Sequence, residues 1–104
     1  MSEEENLFHS IGNSINDSVK GQLFGKPCYK IGSKAFICFF ENEMVFKLSN
    51  EAHSLALELP ESQLFDPSKK KRPMKEWVQV PYSHQGNWLN FAKEACKYVS
   101  SMLK

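Results

Sequence analysis

The sequence predicts an α+β fold: a two-layer sandwich with a mostly antiparallel sheet of about five strands and flanking N-terminal, middle and C-terminal helices. Apolar residues recur with helical periodicity near both ends of the chain, and short strand-like runs with tight turns lie between them. The composition, 41% hydrophobic and 24% charged, is that of an ordinary globular protein. We therefore expect residues 1–104 to form a single domain.

The first helix is predicted over residues 3–16. Ser2 and Glu5 have the spacing of a capping box, in which each side chain bonds a free backbone amide at the start of the helix. The apolar side chains that share one helical face are Leu7, Phe8, Ile11 and Ile15.

Residues 19–48 are predicted to form successive strands. Gly25-Lys26-Pro27 and residues 31–34 are interpreted as turns, and short turns favour antiparallel pairing. The run 35–40 is apolar at every position, which predicts a central strand with both faces covered. Three helices need not cover both faces of the sheet. Either the helices or a curled sheet cover the second face, or it is an open apolar surface for a partner.

The second half is predicted to contain a helix over residues 50–58 with Ser49 as N-cap, strands at 64–65 and 76–80, and a long amphipathic helix from Asn87 onwards. The middle helix has the apolar face Ala52, Leu55, Ala56 and Leu59. The last helix has the apolar face Trp88, Phe91, Ala92, Ala95, Cys96, Val99, Met102 and Leu103. The predicted core anchors are Phe24, Phe36, Phe46, Trp77, Trp88 and Phe91, although the two tryptophans would also suit a ligand pocket.

The three cysteines are odd in number and widely spaced, which predicts reduced thiols in a cytoplasmic protein. Cys38 and Cys96 fit small core positions. Cys28 follows a turn, so we expect it to be partly exposed, where a distant histidine would make it a nucleophile. The N-terminus is acidic and the longest apolar run is too short for a bilayer, so neither export nor membrane contact is predicted.

No catalytic, metal-binding or cofactor-binding signature is recognisable. The three histidines are far apart and adjoin no set of ligands with zinc-site spacing. The glycines form no phosphate-binding loop. We therefore predict a protein without enzymatic activity, metal or cofactor.

The strongest charge signal is the run Lys69-Lys70-Lys71-Arg72, with Lys75 close behind. One interpretation is a nucleic-acid contact in which these cations meet phosphates while Trp77 or Tyr82 stacks on a base. The other is a solvated loop of mutually repelling charges. The net charge of +1 gives no general attraction to nucleic acid.

Several fragments together resemble the N-terminal domain of the competence regulator TfoX. They are Phe24-Gly25, the run 36–40, Met44-Val45-Phe46-Lys47-Leu48, Pro73-Met74, Glu76-Trp77, Val80-Pro81 and a closing helix with Trp88 and Ala95. The resemblance covers about residues 23–98. It implies a curved antiparallel sheet with flanking helices and a bacterial cytoplasmic setting, and it points to no particular catalytic residue. Because the chain stops where the second TfoX domain would begin, we expect a single-domain member.

The expected function is a non-catalytic interaction or regulatory module that binds a protein partner or a second copy of itself. This expectation depends on the strand that is apolar on both faces and on the absence of catalytic motifs. The alternative is a nucleic-acid-binding accessory regulator that uses the basic loop 69–75. The third interpretation is an unrecognised enzyme, which would require a pocket with perturbed ionisable groups.

Overall fold

The computed structural model describes residues 2–23, 25–66 and 74–102. The helices in these ranges are α1 (Glu3–Ser14), α2 (Asn50–Glu58), α3 (Trp88–Ser101) and a short 3-10 helix (Tyr82–Asn87). The strands are β1 (Ser18–Leu23), β2 (Lys26–Ile31), β3 (Lys34–Phe40), β4 (Glu43–Lys47), β5 (Gln63–Phe65) and β6 (Met74–Val80). The predicted α+β class is confirmed, and the described residues contain six strands rather than about five.

The strands form one sheet in the order β1-β2-β3-β4-β6-β5, and every neighbouring pair is antiparallel. The first four strands follow the chain as a meander. The chain then runs through α2, and β5 and β6 form a second hairpin whose β6 strand pairs with β4. The predicted central strand is β3, which has two strands on one side and three on the other.

Two-residue turns connect β2 to β3 at residues 32–33 and β3 to β4 at residues 41–42. Glu41 and Asn42 both have positive φ, at 51° and 64°, the backbone geometry that matches the twist of a hairpin. Gly25, with φ 74°, supplies this geometry between β1 and β2. The interpretation of Lys26 and Pro27 as turn residues was therefore wrong, since both belong to β2. Pro27 fits there because the pairing of β2 with β3 begins only at Cys28.

All three α-helices contribute to the core on one face of the sheet, which we call the helix face (Tyr29, Ile37, Phe46 and Val78 among its strand residues). A bulge in the pairing of β2 with β3 lets Phe36 join Ile37 on this face. The predicted anchors that lie buried in this core are Phe36, Phe46, Trp88 and Phe91. Phe24 lies outside the described residues.

The opposite face of the sheet carries a second buried cluster, and we call it the lysine face (Cys28, Lys30, Cys38, Val45, Lys47, Phe65 and Trp77). No residue of a described helix belongs to this cluster. Its apolar members are nevertheless at most 6% exposed. Of the two alternatives that the sequence left open, an uncovered apolar face is therefore wrong, and a covered second face is observed. Among the residues that cover it, Phe40 packs edge-on against Phe65 with ring centroids 5.2 Å apart.

The helix ends agree with the sequence in part. The Ser2 hydroxyl accepts a hydrogen bond of 3.1 Å from the Glu5 amide, although α1 ends at Ser14 rather than 16. The α2 bounds match the prediction. The Ser49 side chain makes no capping bond, and Asn50 begins the helix with φ 54°, outside regular helical geometry.

The predicted apolar faces of α2 and α3 differ in how closely the structure follows them. In α2, Leu55 is 50% exposed, so its assignment to the buried face was wrong, and Leu57 packs against the core instead. In α3, the predicted face is buried at Trp88, Phe91, Ala92, Ala95 and Val99. Cys96 is only partly buried beside them. The long helix is therefore the element that the periodicity predicted best.

Candidate interaction surfaces

At each end of the lysine face, a lysine side chain covers an aromatic ring of the buried cluster or of its border. The Lys26 ammonium is 5.7 Å from the centre of the Phe40 ring, and the Lys47 ammonium is 5.9 Å from the centre of the Trp77 ring. These are cation–π distances, and the aliphatic stems cover apolar surface while the charges stay in water. The lysine face therefore buries an apolar interior and presents positive charge outwards.

Lys30 belongs to the same face and lies across β1. A Cβ atom built at Gly21 would be 3.0 Å from its Cε, so the lysine stem occupies the space that the glycine leaves. Its positive charge also acts on the Cys28 thiol two residues away. Burial raises the pKa of Cys28, and Lys30 partly opposes that rise. The Lys30 ammonium lies beside Gly21, with its Nζ 3.6 Å from the Cβ position built there.

Trp77 is a core residue of the lysine face rather than an exposed platform. Only 6% of it is accessible. Tyr82 is half-buried, with its ring edge-on to Trp88 at 5.5 Å. The suggestion that one of these rings stacks on a base therefore fails for Trp77, because base stacking needs an accessible ring.

The four cations of the basic run, Lys69 to Arg72, lie outside the described residues. Lys75 is described and is exposed near the start of β6. Its carbonyl oxygen lies 2.7 Å from Nε2 of His53, which joins β6 to α2. Phe65 and Met74 are cross-strand partners, so the residues before and after the basic run meet at the end of the sheet where Lys47 lies.

The outer edge at β1 is the second candidate surface. Among the described residues β1 pairs only with β2, whereas the other edge strand, β5, has three residues. Val19 is 62% exposed, more than Leu55 or Leu89, the other large apolar side chains that the described part of the chain leaves exposed. A six-residue edge strand with an exposed valine offers backbone groups and apolar surface to another strand.

The histidines all make structural contacts. His9 Nδ1 lies 2.9 Å from the Tyr29 hydroxyl, and its Nε2 lies 3.5 Å from a Glu5 carboxylate oxygen. This cluster joins α1 to β2. His84 Nε2 lies 2.9 Å from the carbonyl oxygen of Pro60. Within residues 2–23, 25–66 and 74–102, no group of three metal-ligating side chains comes together.

The cysteines do not form a reactive site with these histidines. Cys28 is fully buried, so its expected partial exposure was wrong; the strand places its side chain in the interior of the lysine face. Cys38 is the direct cross-strand partner of Cys28. The pKa of the Cys38 thiol is raised, mainly by burial and in addition by the neighbouring Cys28. Raised pKa values disfavour the thiolate that a nucleophile requires.

A groove of about 450 Å³ separates the start of α2 from the end of α3. It is lined by Ser49, Asn50, Glu51, Ala52, Glu94, Lys97, Tyr98 and Ser101. Tyr98 donates a hydrogen bond to the Glu76 carboxylate, which, with burial, raises the pKa of its hydroxyl. The described lining of this groove contains two serines and no histidine.

Comparisons with known proteins found no matching family model, no similar characterised protein and no similar solved structure. The resemblance to the TfoX N-terminal domain therefore stays a sequence-based prediction. Among the described residues, no helix has the length and apolar character needed to cross a membrane.

Proposed function

We propose that this chain is a non-catalytic interaction module that binds a protein partner or a second copy of itself through the β1 edge. The observation that carries the proposal is the pairing of β1 with β2 alone among the described residues, together with the 62% exposure of Val19. An added strand would hydrogen-bond to the open edge, and the exposed valine would supply apolar contact. The buried lysine face no longer supports an apolar docking site.

Self-association has one favourable register. If two copies of β1 pair antiparallel with Gly21 of one copy opposite Gly21 of the other, Lys20 faces Gln22 and Val19 faces Leu23 of the other copy. This register avoids placing the two Lys20 charges opposite each other, which would oppose pairing. It also satisfies the two-fold symmetry of a closed dimer.

The test replaces an exposed apolar side chain by lysine at two places. Val19→Lys changes the β1 edge, and Leu89→Lys makes the same kind of change on α3, where Leu89 is 41% exposed. Sedimentation from micromolar to millimolar concentration should show that Val19→Lys weakens self-association while Leu89→Lys leaves it unchanged. For a protein partner, the same two variants should differ in the same way in a pull-down. A monomer without a Val19-dependent partner contradicts the proposal.

The second candidate function is nucleic-acid binding by an accessory regulator. It is favoured by the basic sequence 69–75, whose flanking residues meet at the Lys47 end of the sheet. Binding to fluorescent duplex or single-stranded DNA should weaken with salt, with a logarithmic slope of about −0.9 for each duplex phosphate contacted. Neutralising Lys69 to Arg72 should reduce both the affinity and this slope. Absence of binding at low salt rejects this function.

A further inference from the structure

We propose that Lys30 and Lys47 of the lysine face contact the phosphate backbone of a nucleic acid and extend its binding surface well beyond the basic run. This inference rests on the second candidate function, nucleic-acid binding. It adds a surface that is remote in sequence from residues 69–75 and that only the folded sheet brings together.

The register places the two lysines at the same end of the sheet. Lys30 of β2 is the partner of Ala35 on β3, and Lys47 of β4 is the partner of Trp77 on β6. Lys30 and Lys47 are thus two strands apart, about 10 Å at the usual strand spacing, with the small side chain of Ala35 in the strand between them. The Lys30 side chain leans toward Gly21 of β1 and the Lys47 side chain leans over Trp77 of β6. An anion that contacts both ammonium groups therefore has to extend across the sheet, about 20 Å at the same spacing.

The charge of the lysine face differs between its two ends. The register places Lys26, Lys30 and Lys47 on it together with Glu43. Glu41 and Asp66 line a groove with Phe40 and Gln79 at the Glu43 end. The Glu43 carboxylate accepts a hydrogen bond of 2.7 Å from the Gln79 amide at the end of the sheet away from Lys47. Near the Lys47 end, the carboxylate of Glu76 is bonded to Tyr98 of α3. The two lysines therefore keep their charges at the surface.

A nucleic-acid backbone fits this face better than an acidic protein segment. Protein interfaces depend on apolar anchors that enter pockets, but the aromatic side chains of this face are already buried under lysine stems. The exposed apolar side chain beside them is Val19 at the β1 edge, the cross-strand partner of Lys30. Lysine is a flexible point charge, which suits contact with repeated phosphates. Since Trp77 is not accessible for base stacking, these contacts carry no sequence information, and binding should be independent of base sequence.

The experiment compares two charge-matched double variants. Lys30→Gln/Lys47→Gln removes two charges from the lysine face, and Lys93→Gln/Lys97→Gln removes two from exposed positions on α3. A third variant neutralises Lys69 to Arg72. Affinity for two duplexes of unrelated sequence is measured over a range of salt, and thermal unfolding checks that each variant is folded.

We expect Lys30→Gln/Lys47→Gln to weaken binding to both duplexes equally and to reduce the salt slope by about 0.9 for each phosphate that the variant no longer reaches. The α3 variant should bind like the unchanged protein. If only the loop variant loses binding, nucleic-acid binding stands and the proposed role of the lysine face is wrong. If the unchanged protein does not bind at low salt, both fail. Equal losses in both double variants, or displacement of DNA by polyglutamate at equal charge, also overturn the inference.

Discussion

The two faces of the sheet are buried to a similar degree but by different means. On the helix face, side chains of α1, α2 and α3 pack against the strands. On the lysine face, the described members of the buried cluster all belong to strands. The aliphatic stems of Lys26 and Lys47 lie over the rings of Phe40 and Trp77. Among the described residues, the apolar strand residues of the lysine face are hidden from water without a helix over them. Flexible charged side chains also exclude water from them.

The two faces should differ in how they respond to change. Helix-face side chains are held between two layers, where neighbours have few alternative positions. Lysine stems have several rotatable bonds and can move aside. We therefore expect equivalent substitutions to cost more stability on the helix face.

The largest expected effect comes from the two tryptophans. Trp88→Ala should lower the free energy of unfolding by about 3–5 kcal/mol, because the side chain is fully buried and its loss leaves a cavity. Trp77→Ala should cost about 3 kcal/mol, the lower end of the range, because Lys47 can move into the space. Urea denaturation measures both values. An unchanged midpoint for Trp77→Ala would refute its place in the core.

Substitution of two glycines by alanine compares the two faces with the same chemical change and a smaller expected loss of stability. In Gly12→Ala the new methyl group would overlap the Tyr29 ring on the helix face, so we expect a loss of about 1–3 kcal/mol. In Gly21→Ala the methyl group meets the flexible Lys30 stem, with Cε 3.0 Å away. This change should cost less than about 1 kcal/mol. Equal losses in the two variants would contradict the difference between the faces.

The smallest effect concerns the polar contact between α1 and the helix face. Tyr29→Phe should lower the free energy of unfolding by about 1 kcal/mol at neutral pH, because it removes the hydroxyl that forms a hydrogen bond with His9. Burial also raises the pKa of Tyr29 above its usual value. The folded state therefore holds this proton more tightly, and stability is lost as the pH rises above about 10. Denaturation at several alkaline pH values should show a weaker pH dependence in the variant. An equally steep dependence would assign the effect to other groups.

Much of the fold follows from patterns that depend on neighbours in the sequence. The 3.6-residue period of α3 and the turn at residues 31–34 depend on local sequence, so they predict α3 and the turn between β2 and β3 well. The bulge at Phe36 depends on pairing with β2, and the sequence of β3 alone does not show that Phe36 and Ile37 share a face. Leu55 was misplaced for the same reason, since the position of α2 against α3 decides its exposure.

The candidate surfaces were predicted less well. The basic run is visible in the sequence, but Lys30 and Lys47 lie far from it and from each other along the chain. Their common face emerges only from strand order and register. Val19 resembles an ordinary strand residue in the sequence, and its exposure follows from the position of β1 at the edge. Lys30 and Lys47 alternate with apolar residues, which indicates that each lies on one face of a strand. This alternation does not show which strands are neighbours in the sheet.

The pairing of β4 with β6 has a consequence for how the chain folds. The meander from β1 to β4 requires only short loops, so each of its hairpins can form quickly. The β5–β6 hairpin is also local. Joining the two requires contact between Phe46 and Val78, which closes a much longer loop. We expect this junction to form late and to limit the folding rate, because contacts between distant parts of a chain slow its folding. The backbone amides at this junction would then exchange with solvent only when the two halves of the sheet separate.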